Sequence, residues 1–228
     1  MTDSPRRVLI IAYYFPPMGL SGVQRTLKFA KYLPQFGWKP TVLTVGPTGY
    51  YALDQSLLTE VEEAGIEVIR TTSLDVNRLF SRKGVVKMPA EWLRKILQFF
   101  GDLLLIPDTK IGWKRKAVRV GRSIMKTNRF DVIFATAPPQ TDLLIGYALK
   151  KAFGIPLVVE YRDSWLEYPF KFFPTPLHRL WHSRLEKKII RGSDRVITTH
   201  RRVKENLLKR YSFLSHHDVA IVSQGYDA

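Results

Sequence analysis

The stretch from Val8 to Arg25 constrains this chain more than any other. It begins V-L-I-I-A-Y-Y-F, an apolar run of strand length, and continues P-P-M-G-L-S-G-V-Q-R, a loop containing Gly19 and Gly22. After the loop, Val23, Leu27, Ala30 and Leu33 recur at helical spacing, while Arg25, Lys28 and Lys31 face elsewhere. A buried strand, a glycine-bearing turn and a helix N-terminus together make a place for an anionic ligand. The N–H groups of the first helical turn lack partners and point at whatever sits there. Glycine, with no Cβ, lets the backbone approach that ligand closely. Gly19, Ser21, Gly22 and the first-turn Arg25 are therefore candidate binding residues. The loop is neither the six-residue dinucleotide fingerprint nor a Walker motif, and a tight turn with no ligand is the competing reading.

The rest of the chain alternates strands with helices. Further strands are predicted at Thr41 to Val45, Ile66 to Arg70, Asp131 to Ala135, Pro156 to Glu160, Arg195 to Thr198 and Val219 to Val222. Helices are predicted between them, and Thr71 to Lys87 reads as loop. The expected fold class is α/β: a Rossmann-like, doubly wound, mostly parallel sheet of about seven strands flanked by helices, in one domain over residues 1–228. Ligands in such folds bind outside the C-terminal ends of the strands.

That rule directs attention to the other strand-to-helix loops. Tyr161-Arg162-Asp163-Ser164-Trp165 follows an apolar strand, so Arg162 and Asp163 stand at the mouth of the crevice. A carboxylate there orients or deprotonates a hydroxyl. The competing reading is an Arg–Asp pair that merely holds the loop. Thr136 and Pro138 either shape the pocket wall or form a rigid turn before a helix. His200 either lines the crevice or makes a local hydrogen bond. His178, His182 and Glu186 share one helix face at metal-ligand spacing. The internal glutamate of a zinc protease is missing and the neighbours are basic, so no metal is expected. The absence of cysteine excludes disulfides and thiolate metal sites and is compatible with a reducing cytoplasm. No G-x-S-x-G elbow is present.

The formal net charge is +16, and the run from Lys110 to Arg129 contains eight basic residues and no acidic one. Such one-sided charge points to an anionic partner: a membrane surface, a phosphorylated substrate or nucleic acid. No recognisable motif supports nucleic acid. A helix from Met88 to Ile106 carries Trp92, Ile96, Phe99 and Phe100; beside it a second helix has Trp113, Ala117, Val120 and Ile124 in one stripe and basic residues on the remaining face. The first helix either packs into the core or lies on an anionic surface. Its apolar stretch is too short to span a bilayer, which takes about 20 residues.

These pieces resemble, in order and spacing, the N-terminal domain of a family 4 glycosyltransferase with the two-domain B-type fold. The matching segments are Tyr13 to Arg25, Pro40 to Thr44, A-T-A-P-P at Ala135 to Pro139 and E-Y-R-D-S-W at Glu160 to Trp165. R-V-I-T-T-H-R-R-V-K-E-N-L-L-K-R-Y, from Arg195 to Tyr211, and S-Q-G-Y-D near the end complete the set. The resemblance implies retaining transfer of a sugar from a nucleotide-sugar donor to a hydroxyl on a polysaccharide or lipid-linked glycan. By analogy, Gly19, Ser21 and Gly22 approach the donor, Arg25 adds charge, and Asp163, supported by Arg162, sits near the acceptor. The carry-over to His200 is weaker. The nucleotide sugar is a substrate, and no cofactor is expected. The family's donor-binding domain carries paired glutamates seven residues apart, and Glu160 and Glu167 are one residue too close for that spacing. The expectation is an acceptor-binding half that is inactive alone, with its C-terminal domain supplied in cis or in trans. The implied location is cytoplasmic, at the inner face of a membrane. The alternative is a non-catalytic basic module that binds anionic membranes. Nucleic acid is not an expected partner.

Overall fold

The computed structural model describes residues 5–19, 21–46, 48, 52–74, 91–168 and 171–225. It contains seven strands: β1 (Arg6–Ile11), β2 (Trp38–Val45), β3 (Glu67–Thr71), β4 (Val132–Ala137), β5 (Leu157–Tyr161), β6 (Arg195–Thr198) and β7 (Val219–Ile221). The α-helices described are α1 (Ser21–Tyr32), α2 (Gln55–Glu63), α3 (Glu91–Leu104), α4 (Ile111–Thr127), α5 (Gln140–Phe153), α6 (Pro176–Gly192) and α7 (Arg201–Arg210). The strands form one sheet in the order β3-β2-β1-β4-β5-β6-β7, and all six pairings are parallel. The doubly wound fold expected from the sequence is present.

Strand order reverses between β1 and β4. The chain steps outward from β1 to β3 on one side and from β4 to β7 on the other. The loops leaving β1 and β4 therefore diverge and open a crevice at the C-terminal edge. Two strands differ from the sequence expectation in an informative way. β2 begins at Trp38, ahead of Pro40, because β3 pairing starts only at Thr41. The missing N–H of Pro40 faces no neighbour on that side, so the proline is tolerated. β4 runs on to Ala137, which takes Thr136 into the sheet. The loop predicted from Thr71 to Lys87 lies, from residue 75 onward, outside the described residues.

The two faces of β4 meet different partners. Ile133 and Ala135 face α5, which approaches closely at Gly146: a Cβ built there would lie 2.9 Å from that of Ala135 and 3.0 Å from Leu157 Cδ1. Phe134 faces the other way and meets Phe29 of α1 edge-on at 5.7 Å. Among the described residues this second face stays open beyond α1. It forms an apolar groove of about 1010 Å³, lined by Val8, Phe134, Val158 and Ile197 with Ser223 to Gly225. Parallel sheets are usually covered on both faces, so this half-covered sheet is unusual.

The Met88 to Ile106 helix appears as α3, with residues 88–90 outside the described residues. For most of the apolar side chains described on it, core packing does not account for the helix. Trp92 is 66% exposed, Leu104 73%, and Ile96, Phe99 and Phe100 are also exposed. Among the described residues, α3 makes no extensive contact with the strands or with the helices that cover the sheet. No helix among the described residues is long and apolar enough to cross a membrane.

The approach at Gly146 gives a stability test. A valine there must displace both Ala135 and Leu157. Gly146→Val should lower stability by about 1–3 kcal/mol despite a better helix propensity, read as a lower urea midpoint at unchanged slope.

Candidate active site

The charged residues of the crevice are held from inside the sheet. Glu160, on β5, is 1% exposed and Arg25, in α1, is 3% exposed. Arg25 donates to Glu160 Oε1 through Nε at 2.9 Å and Nη2 at 2.7 Å. The other oxygen, Oε2, accepts from Thr136 Oγ1 at 2.6 Å. Arg25 also donates to the carbonyls of Ser223 at 2.9 Å and Val222 at 2.7 Å, and lies over the Phe29 ring. A helix, two strands and the segment after β7 thus meet on one ion pair. Arg25 and Thr136, both candidate binding residues, spend their polar groups on these protein partners.

Arg162 makes a second tie, in the loop after β5. Its Nη1 donates to the Gly22 carbonyl at 2.6 Å, Nε to that of Ala137 at 3.3 Å, and Nη2 to that of Pro138. Its own carbonyl accepts from Thr199 Oγ1 at 2.6 Å. One residue therefore joins the first turn of α1 to the exits of β4, β5 and β6. Burial lowers the pKa of its guanidinium, and the neighbouring Glu160, Asp142 and Asp163 offset part of that. The close approach at Gly22 is made by this side chain: an added Cβ would lie 2.5 Å from Arg162 Nη1. Gly19 is fixed differently, by its N–H donating to the Ala52 carbonyl at 2.8 Å. Ser21 opens α1, and its side chain lies outside the described atoms.

Asp163 and His200 are the outward-facing members of the set. Tyr161 and Thr198 are paired in register across β5 and β6. Asp163 and His200 each follow two residues later, on neighbouring exits at the same edge. Both are exposed. His200 is the N-cap of α7, with no side-chain capping bond. A carboxylate and an imidazole in these positions can accept from, or donate to, a hydroxyl in the crevice.

Two acids of this edge escaped the sequence reading. Asp142, in the first turn of α5, is fully enclosed; its Oδ2 accepts from the Tyr13 N–H at 2.8 Å. Its Oδ1 has no hydrogen-bond partner among the described residues. Burial, with Asp108 adding to it, pushes this carboxyl well above the usual range. Asp108 accepts from Thr141 N and Thr141 Oγ1, each at 2.8 Å, and so caps α5. The signal was present in the sequence: an acid three positions after Pro139 belongs in a helix's first turn.

The three residues at metal-ligand spacing are engaged separately. His182 accepts from Trp165 Nε1 at 2.9 Å, and burial lowers its pKa to about 3. Glu186 accepts from Tyr211 and Arg210. His178 meets Thr175 and the Leu103 carbonyl.

A family model described as a glycosyl transferase 4-like domain matches residues 22–225. The chain belongs to that family. The glycosyl transferase 4-like domain matches no curated protein. Among solved structures it is similar to Anabaena Alr3699/HepE in complex with UDP-glucose. That match has 15% identity and a TM-score of 0.52 over 97% of this chain and 44% of the other. Medicago truncatula UGT71G1 complexed with UDP-glucose gives 13% and 0.54 over 96% and 51%. A UDP-N-acetylglucosamine 2-epimerase gives 12% and 0.51 over 95% and 48%. These likenesses concern the fold. The domain spans about half the length of each.

Two measurements check this geometry. Glu160→Gln leaves the Arg25 guanidinium buried without its anion and should cost about 3–5 kcal/mol in a urea melt. Asp142 keeps its proton in the folded state to higher pH than in the unfolded chain, where it is lost near about 4. The folded state then binds more protons, so this residue lowers stability as pH rises above that value. Asp142→Asn should gain on the wild type as pH rises from acid to neutral. A pH-independent difference between the two melts would contradict the assignment.

Proposed function

We propose that this domain is the acceptor-binding half of a glycosyltransferase that moves a sugar from a nucleotide-sugar donor to an acceptor hydroxyl. The observation that carries the reading is the family match across residues 22–225, in a chain whose crevice exposes Asp163 beside a fixed Arg162. The half-length coverage of the solved relatives supports a second α/β domain, in cis or in trans, that holds most of the donor. The nucleotide sugar is a substrate in this scheme, and the domain needs no metal or resident cofactor.

The roles follow from what each side chain is free to do. Asp163 accepts a hydrogen bond from the acceptor hydroxyl and holds its oxygen toward the donor's anomeric carbon. Arg162, fixed by three carbonyls, sets the position of that carboxylate. Gly19, Ser21 and Gly22 face the donor across the cleft, where the N-terminal turn of α1 attracts its negative charge. His200 contributes a second polar contact to the acceptor. Arg25 and Thr136 act at one remove, by holding β4, β5 and α1 in register. The acceptor is a polysaccharide or lipid-linked glycan, used at the cytoplasmic face of a membrane.

The chain should be assayed alone and together with a second, donor-binding domain. UDP-glucose serves as probe donor, other nucleotide sugars extend the panel, and release of the nucleoside diphosphate is the readout. Transfer is expected only from the pair. Asp163→Ala should lower turnover by ~100-fold or more, and near-normal turnover in that variant would remove Asp163 from the mechanism. Alone, the chain should bind UDP-glucose more weakly than micromolar, that is by less than ~8 kcal/mol, in calorimetry.

A further inference from the structure

We propose that α3 and the exposed stripe of α6 form a docking surface for an anionic lipid bilayer. The observations behind this are independent of glycosyl transfer. Trp92, Ile96 and Phe99 stand at i, i+4 and i+7 on α3, the spacing of one helical face. In a soluble domain that face ordinarily packs against the core. Here it is turned to solvent: Trp92 is 66% exposed, and Ile96 and Phe99 are 45% and 43% exposed.

The exposed side of α6 continues the surface. Leu177, Leu180 and Trp181 are 66%, 44% and 58% exposed. Arg184 and Lys188 follow on the same helical stripe, also exposed. The stripe therefore changes from apolar to cationic along its length. Two contacts join it to α3. His178, in the first turn of α6, meets the Leu103 carbonyl at 3.1 Å. Phe99 packs on Phe172, just before α6, with ring centroids 5.9 Å apart.

Charge selects the partner. The chain carries +16, and the cations lie beside the apolar groups rather than apart from them. An amphipathic helix with aromatic residues on one side and lysine or arginine nearby settles into the headgroup boundary of an anionic bilayer. Tryptophan suits that boundary, with an apolar body and a polar N–H. A protein partner would have to bury Trp92 and Trp181 while matching a strongly positive rim.

The position of the surface fits this use. Helices of this fold begin at the C-terminal edge of the sheet, and the first turn of α6 holds α3 there. Asp108, in the segment after α3, caps the first turn of α5 at the same edge. The apolar surface and the crevice thus share one side of the molecule. If the acceptor is lipid-linked, as the functional reading above has it, docking would bring its head to Asp163. The docking itself does not depend on that reading.

The test is flotation of the chain with phosphatidylcholine vesicles, with and without phosphatidylglycerol, in the absence of donor and acceptor. Binding is expected only with the anionic lipid and should weaken with salt. Brominated lipid should quench part of the tryptophan emission, because Trp92 and Trp181 are exposed while Trp113 and Trp165 are fully buried. Trp92→Gln/Phe100→Gln should reduce vesicle binding on the order of tenfold, and so should Arg184→Glu/Lys188→Glu. All four positions are exposed, and unchanged urea melts would show that both variants remain folded. Failure to float, equal flotation on neutral vesicles, or full binding by both variants would overturn the proposal. So would a dimer in sedimentation that the same variants dissociate, since the surface would then belong to a second copy. Failure of the transfer assay, by contrast, leaves this result unaffected.

Discussion

The Arg25–Glu160 ion pair is the contact on which the architecture of the crevice depends. Both charges are withdrawn from water, which is costly unless every polar atom is matched. Here the matching is nearly complete. One carboxylate oxygen takes two bonds from Arg25, the other takes the Thr136 hydroxyl, and the remaining Arg25 donors reach carbonyls after β7. The pair spans 135 residues of chain. It links an element on one side of the order reversal, α1, to strands on the other. The β1–β4 ladder crosses the same reversal within the sheet, and the ion pair adds a tie from the helical layer.

A division of labour follows among residues of similar chemistry. Arg25 and Arg162 are cations of the crevice, yet both are turned inward onto protein acceptors. Their positions are fixed, and their charge acts at a distance rather than by contact. Asp142 is likewise enclosed, and its burial favours the neutral form of the carboxyl. Asp163 and His200, by contrast, project from neighbouring loops with their polar atoms in solvent. The rigid set and the reactive set are therefore distinct. That separation favours positioning: an exposed carboxylate is useful in a crevice only if the loop beneath it does not move.

The fold was largely legible because its signals are local. Apolar runs of strand length at Val8, Ile133 and Leu157, with amphipathic stretches between them, give the alternation directly. The exceptions were also local in origin. Pro40 hid the start of β2, since tolerance of a proline depends on whether a neighbouring strand is there to want its N–H. The site was less legible, because the decisive facts are long-range. Nothing in the sequence near Gly22 says that Arg162, 140 residues later, fills the space a Cβ would occupy. The sequence reads Gly22 as a place where a ligand approaches the backbone; in the structure the Arg162 side chain occupies that space, a contact set by tertiary packing. Asp142 was passed over for a related reason: a first-turn acid is ordinary in a helix, and only burial makes it unusual.

The exposure of α3 has its origin in the strand order. Because β3 lies at one edge and β4 on the far side of β1, the connection between them must cross two strands. It is the longest in the described fold, running from Thr71 to Val132. One helix, α4, is enough to make that crossing and fill the layer, with Trp113 fully buried and its Nε1 donating to Thr71 Oγ1 at 2.7 Å. α3 is additional to what the crossover requires. The exposed apolar residues described on it do not serve the sheet, and its C-terminal end is tied to α6 at the edge where the crevice opens. An extra helix free of the core can carry hydrophobic residues that would otherwise have to be buried. The same strand reversal that creates the crevice thus leaves room beside it for a surface of a different kind.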